Sequence, residues 1–184
     1  MKRFHGLLVG LRVVILNPRE AYELYNSGFY GKPLGIPKPK PGERFEAPLE
    51  LDLVEACYLA EKGLLEVEDP EGRLISAEEL ARRAEEAMPR FRMLYPVYRD
   101  LREAGLVVRS GMKFGSDFSV YTKGPGLEHA PYLVQVIGYR EEINPLDLVR
   151  AGRLSHSVRK RLLIAAIDEE TNRITYIMLK WSKP

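Results

Sequence analysis

The chain has 184 residues, 45% of them hydrophobic, with 28 basic and 26 acidic side chains and a net charge of +2. That length suits one ordinary domain or two small ones, and the apolar share supports true cores, which excludes a disordered or low-complexity chain. The apolar run from Gly6 to Leu16 is interrupted by Arg12, is too short to cross a bilayer and lacks a small-residue cleavage site, so neither membrane anchoring nor secretion is implied.

The first sixteen residues read as short strands ended by Asn17-Pro18, and a brief helix follows from Pro18 to Tyr25, with proline in the favourable first turn. Gly28 to Pro48 carries five prolines and four glycines, reads as a projecting loop, and has a basic tip formed by Lys32, Lys38, Lys40 and Arg44. Helical spacing predicts a helix from Glu50 to Lys62, stopped at Gly63; Cys57 lies inside it, the one cysteine of the chain, so no internal disulfide forms and a reducing, cytoplasmic setting fits. A strand at Leu64–Glu68 enters the turn Asp69-Pro70-Glu71-Gly72. Ser76 and Glu79 then form a capping box for a helix that ends at Met88-Pro89, the expected domain boundary.

The second half begins with a helix from Arg90 to Ala104, stopped by Gly105. Strands are predicted at Val107–Phe114, Phe118–Tyr121 and Tyr132–Val136. Pro145 opens a short segment leading to a helix at Leu154–Leu163, and Ile164–Ile167 with Ile174–Leu179 form a closing hairpin around Asp168–Arg173. The order gives an α/β (α+β) protein: a small N-terminal α/β domain at 1–88 and, at 89–184, a domain with a central mixed sheet flanked by helices.

Three polar residues stand in separate blocks of this second half. Tyr121 closes GMKFGSDFSVYTKG (Gly111–Gly124), His129 lies in EHAPYLVQV, and Lys160 lies in RLSHSVRKRLLIAAIDEETNRITYIMLKW (Arg153–Trp181). Alone, each is ordinary: a strand-end aromatic in a chain with ten tyrosines, a loop histidine, a lysine between Arg159 and Arg161 on a solvated helix face. Arg150, Arg153, Arg159, Lys160 and Arg161 form an acid-free basic run that could face phosphate, although such a run is by itself a solvated face. His156, four residues before Lys160, would share a helix face with it, and His5 near the N-terminus carries no signal.

Taken in order, these blocks, with the pattern LDLVEACYLAEKGLLEV at 51–67 and YPVYRDLREAGLVVRSGMKFGSDF at 95–118, resemble the catalytic subunit of the archaeal tRNA-splicing endonucleases. The resemblance implies a metal-independent, cofactor-free endoribonuclease that excises introns from precursor tRNA at bulge-helix-bulge motifs, leaving 2',3'-cyclic phosphate and 5'-hydroxyl ends. It assigns Tyr121 as base toward the 2'-hydroxyl, His129 as acid toward the leaving 5'-oxygen and Lys160 as the cation on the phosphorane. Arg153, seven residues before Lys160, takes the place of an arginine that clamps a bulged base, and Trp181 is a candidate for the second plane of that clamp.

The resemblance also implies a four-unit assembly in which an acidic loop, here Asp168-Glu169-Glu170, enters a basic pocket of a neighbour. The long basic proline loop favours a heterotetramer with a second, structural endonuclease subunit over a homotetramer. Two other readings stand beside this one. The first is a noncatalytic structural or RNA-binding subunit of the same assembly; such subunits lack the Tyr, His and Lys set. The second is a magnesium nuclease built on Asp117, Glu128 and Lys160, which the absence of paired-acid, HExxH or CxxC spacing disfavours.

Overall fold

A computed structural model describes residues 2–37, 39–40 and 42–179. The elements are β1 (Phe4–Val9), β2 (Arg12–Ile15), α1 (Pro18–Gly28), β3 (Lys32–Pro33), β4 (Leu49–Asp52), α2 (Leu53–Glu61), β5 (Leu65–Glu68), β6 (Leu74–Ile75), α3 (Ala77–Ala87), α4 (Phe91–Glu103), β7 (Val107–Ser110), a 3-10 turn (Met112–Phe114), β8 (Phe118–Tyr121), β9 (Tyr132–Gly138), α5 (Pro145–Ser157), β10 (Arg161–Asp168) and β11 (Arg173–Leu179). They divide into two compact units, Met1–Phe91 and Arg92–Pro184. Each unit holds one mixed sheet with its own helices, the expected α/β (α+β) class.

The first sheet has the strand order β3-β4-β2-β1-β5-β6, with β1 and β5 parallel and the remaining neighbours antiparallel. Its centre is apolar by alternation: Val13 faces Leu51 and Ile15 faces Leu49 across β2 and β4, and all four are fully buried. That pairing corrects the helix expected from Glu50. Leu49 and Leu51 obey a period of two, and the helix starts only after Asp52, whose carboxylate accepts from the Glu55 amide at 2.8 Å as its N-cap. The stop at Gly63 holds, with φ +66 there and the Leu64 amide donating to the Leu59 carbonyl at 2.9 Å.

The segment 28–48 is also more anchored than a projecting loop. Lys32 and Pro33 pair with β4 as an edge strand, the position a proline tolerates, and the Gly31 amide donates to Glu55 at 3.2 Å. At the other end Phe45 is buried edge-on against Tyr22 (5.4 Å) and Tyr25 (5.6 Å), contacts of about 0.5–1.5 kcal/mol each beyond area burial. Lys32, Lys40 and Arg44 are exposed, and Lys38 lies outside the described residues.

The second sheet has the order β11-β10-β9-β8-β7, in which β9 and β10 are parallel and the other pairs antiparallel. Parallel neighbours require a crossover, and α5 is that crossover. The helix therefore differs from the expected one at 154–163. It starts at Pro145, where the Asn144 side chain accepts from the Leu146 amide at 2.9 Å, and it ends at Ser157. Leu162 and Ile164 point into the core as strand residues, so the apolar run after Lys160 belongs to β10. The strand expected to reach Phe114 stops at Ser110, because the Phe114 amide donates back to the Gly111 carbonyl at 2.7 Å and turns the chain.

The first unit also carries a chain of ions from the turn after β5 to α3. Asp69, only 6% exposed, accepts from the Arg73 amide at 2.8 Å and from its Nε at 3.1 Å; Arg73 and Arg83 both donate to Glu79, at 2.9 and 2.6 Å. The Arg73 amide bond above all, and then the Arg73 guanidinium, hold the Asp69 carboxyl below its ordinary pKa, against the opposing effect of burial. A depressed carboxyl stabilises the fold above its unfolded pKa, near 3.9, and that contribution is lost as the pH falls through the folded value. Asp69→Asn is expected to lower the melting temperature at pH 7 and to reduce the further loss on acidification to about pH 3, measured by circular dichroism; an unchanged melting temperature at pH 7 would refute the role.

Candidate active site

Lys160 is placed by main-chain geometry rather than by a helix face. At the end of α5, Arg159 adopts a left-handed φ of +55, its amide donates to the His156 carbonyl (3.0 Å), and the Lys160 amide donates to the Ser155 carbonyl (2.8 Å). These two bonds make a Schellman turn, which satisfies the last helical carbonyls and points the next residue away from the helix axis. His156 and Lys160 therefore do not share a helical face. Lys160 instead precedes β10, whose first residue, Arg161, pairs with Tyr132 and donates its amide to the Pro131 carbonyl at 2.9 Å.

The parallel register brings Lys160 beside the end of the β8–β9 loop. Its Nζ donates to the Ala130 carbonyl at 2.7 Å and stands 4.9 Å from the centroid of the Phe114 ring. A cation over a ring face gains about 0.5–2 kcal/mol, depending on how much water is excluded. Partial burial pushes the Lys160 ammonium below the ordinary lysine pKa. Of its three N–H groups, one serves Ala130, and two are left for other acceptors.

Phe114 reaches this position through the two glycines that bracket it. A Cβ on Gly111 would lie 2.7–2.8 Å from the backbone of Phe118, and Gly115 takes the left-handed φ of +65 that closes the 3-10 turn. Neither Phe114 nor the Ala130 carbonyl stood out in the sequence; the only visible signal was the spacing of the glycines in GMKFG.

Tyr121 ends β8 opposite Val107 of β7, and its neighbour Val120 pairs with Tyr132, the first residue of β9. Tyr132 in turn pairs with Arg161. Tyr121, His129 and Lys160 therefore sit at one end of this sheet, where β8 finishes and β9 and β10 begin. His129 is exposed, one residue before the buried Ala130 whose carbonyl holds Lys160. A hollow of about 470 Å³ lies instead beneath α5, lined by Gln135, Ile137, Leu148 and Leu154 among others, and none of the three residues lines it.

Arg153 is exposed on α5, and Arg150, from the same basic run, pairs with Asp147 at 3.2 Å. Trp181 lies outside the described residues. Asp168 ends β10, accepts from the Glu170 amide at 3.0 Å and is held below its ordinary pKa by the Thr171 hydroxyl first; Glu169 and Glu170 are exposed in the turn to β11. On the edge strand β11, Ile177 and Met178 are 47% and 48% exposed.

The two acids of the magnesium alternative are occupied and apart. Asp117, just before β8, accepts from the Val136 amide at 2.7 Å. Glu128 accepts from the amides of Thr122, just after β8, and Lys123, both at 2.6 Å. The length of β8, roughly 16 Å from Asp117 to Thr122 at about 3.3 Å per residue, separates the two groups of amides they serve.

The model of the tRNA intron endonuclease catalytic C-terminal domain matches residues 91–176, and that of the tRNA intron endonuclease N-terminal domain matches residues 4–81. Among curated proteins, the tRNA-splicing endonuclease of Hyperthermus butylicus is 60% identical over 179 residues, covering 97% of this chain and 98% of that protein. Those of Saccharolobus islandicus (strain L.S.2.15) and Saccharolobus solfataricus (strain P2) are each 50% identical over 178 residues, with the same coverage. The chain belongs to the tRNA intron endonuclease family.

Proposed function

We propose that this chain is the catalytic subunit of a tRNA-splicing endonuclease that excises introns from precursor tRNA at bulge-helix-bulge motifs, without a metal or cofactor. What carries the reading is the meeting at one sheet end of Tyr121, the loop bearing His129, and Lys160, whose ammonium is held on the loop itself at the Ala130 carbonyl. RNA brings its own nucleophile. Tyr121 takes the proton of the 2'-hydroxyl as that oxygen bonds to the adjacent phosphorus. The bond from phosphorus to the 5'-oxygen breaks, and His129 gives that oxygen its proton. Lys160 faces the charge that accumulates on the phosphorane. The ends left are a 2',3'-cyclic phosphate and a 5'-hydroxyl.

Arg153, on the helix leading to Lys160, suits a clamp on a bulged base, with Trp181 as its proposed second plane. The acidic turn at Asp168, Glu169 and Glu170, exposed at its last two residues, and the apolar edge strand β11 suit contacts with other subunits, in a heterotetramer with a separate structural subunit or in a homotetramer. Lys32, Lys38, Lys40 and Arg44 supply phosphate partners on the proline-rich segment.

Lys160→Ala is expected to lower single-turnover cleavage of precursor tRNA by about 10²–10³, and His129→Ala by about 10²–10⁴, with precursor binding nearly unchanged. Wild-type cleavage should persist in excess EDTA and stop when the 2'-hydroxyl at the cut site is replaced by hydrogen. Normal rates in both mutants would remove the assignment, and loss of activity on chelation would favour the magnesium nuclease.

Reversing Asp168, Glu169 and Glu170 to lysine should weaken assembly, because an acidic turn facing a basic pocket becomes a like-charge clash. Elution of the mutant at wild-type size at low concentration would count against the contact. Neutralising Lys32, Lys38, Lys40 and Arg44 should weaken precursor binding and flatten its salt dependence; equal affinity and slope would leave the segment without a role in RNA binding.

A further inference from the structure

The loop between β8 and β9 contains Gly124, Pro125 and Gly126, a composition that does not by itself fix a conformation. One side chain holds it. The Oε1 of Glu128 accepts from the amides of Thr122 and Lys123, each at 2.6 Å, and from the Thr122 hydroxyl at 3.0 Å, and its Oε2 accepts from the same hydroxyl at 3.0 Å. Successive amides pointing at one anion form a nest, and the short distances are those of charge-assisted bonds. The loop closes around this nest through the Leu127 and Glu128 amides, both donating to the Gly124 carbonyl at 3.2 Å. The carboxyl is held below its ordinary pKa, chiefly by the Lys123 amide, with burial opposing. It is therefore an ionised acceptor already engaged, and not a free proton acceptor for substrate.

The positions of these bonds matter more than their number. Thr122 directly follows Tyr121, and Glu128 directly precedes His129. On the far side of His129, the Ala130 carbonyl receives Lys160 Nζ. A continuous path of covalent and hydrogen bonds therefore runs from Tyr121 through Thr122, Glu128, His129 and Ala130 to Lys160.

We propose that Glu128 is a positioning residue for RNA cleavage: its carboxylate ties the residue after the base to the residue before the acid and so sets the spacing of Tyr121 and His129. The proposal rests on the reading of those two residues given above. Reacting groups tolerate little misplacement, since an error of about 1 Å can cost on the order of 10²-fold in rate. Glutamine at this position keeps the size of the side chain and loses the charge that orients two amides.

The test is single-turnover cleavage of precursor tRNA by Glu128→Gln, alone and combined with His129→Ala, together with precursor affinity, melting temperature and the amide proton shifts of Thr122 and Lys123. Glu128→Gln is expected to cut about 10- to 100-fold more slowly with affinity and melting temperature unchanged, and both amide protons should move upfield. In the His129→Ala background the same change should cost much less, because the carboxylate acts through the residue already removed. A wild-type rate in Glu128→Gln, a fall in rate matched by a fall in melting temperature, or full additivity with His129→Ala would each overturn the proposal. Failure of the underlying assignment reads out separately, as normal cleavage by His129→Ala and Lys160→Ala with glutamate still at 128.

Discussion

The parallel pairing of β9 with β10 is the constraint on which the site depends. Parallel neighbours begin at the same end of a sheet, so the residues preceding them are brought together even though residues 139–160 intervene. Here those residues are Pro131, with Ala130 before it, and Lys160. An antiparallel arrangement of the same two strands would send Lys160 to the opposite end of β9. The lysine is then fixed by three backbone-based contacts: its amide on Ser155, the amide of Arg161 on Pro131, and its own ammonium on Ala130.

This placement does not lean on dense packing of the crossover helix. Within α5 only Ser155 is buried, while Leu146, Val149 and Leu154 are 63%, 56% and 42% exposed. A helix so thinly buried gains little from the hydrophobic effect, and its position is set at its ends, by the Asn144 cap and the Schellman turn. The sheet beneath is the reverse case: Val120, Leu133, Val134 and Ala165 are fully or almost fully buried. Lys160 is accordingly held at the sheet end by the hydrogen bonds of the Schellman turn and of the Ala130 carbonyl, and not by packing of the helix face.

Much of this was legible in the residues, and the failures have physical causes. Capping at Ser76 and the stop at Gly63 depend on neighbours close in sequence, and they appear as expected. The helix predicted at 154–163 failed because its termination rests on Arg159 in a left-handed conformation, which a non-glycine side chain does not advertise. Leu162 and Ile164 are apolar enough for either a helix or a strand, and only the partner strand decides. Leu51 fits the helix expected from Glu50 for the same reason, since its role as a strand residue is defined by Val13 far away in the chain. The three proposed catalytic residues came from a resemblance between ordered blocks. What the blocks could not convey is how these residues are tied together, which required the register of β8, β9 and β10.

The charges at this sheet end follow one logic. Among the described residues the contacts of the Lys160 ammonium are a carbonyl oxygen and a ring face, both uncharged, so no described carboxylate cancels its field. Glu128, the acid nearest in sequence to His129, directs its charge at backbone amides of the loop. Partial burial lowers the lysine's pKa, whereas the carbonyl and the ring both favour its charged form; the net direction is downward, so desolvation prevails. An ammonium already stripped of part of its water acts on a developing phosphorane through a lower effective dielectric and needs less reorganisation to do so. In the proposed reaction the cost of that preparation is a narrower range of charge, because as the pH rises such a lysine loses its proton earlier than an exposed one. In that proposal its neutral partners leave its attraction for the phosphate.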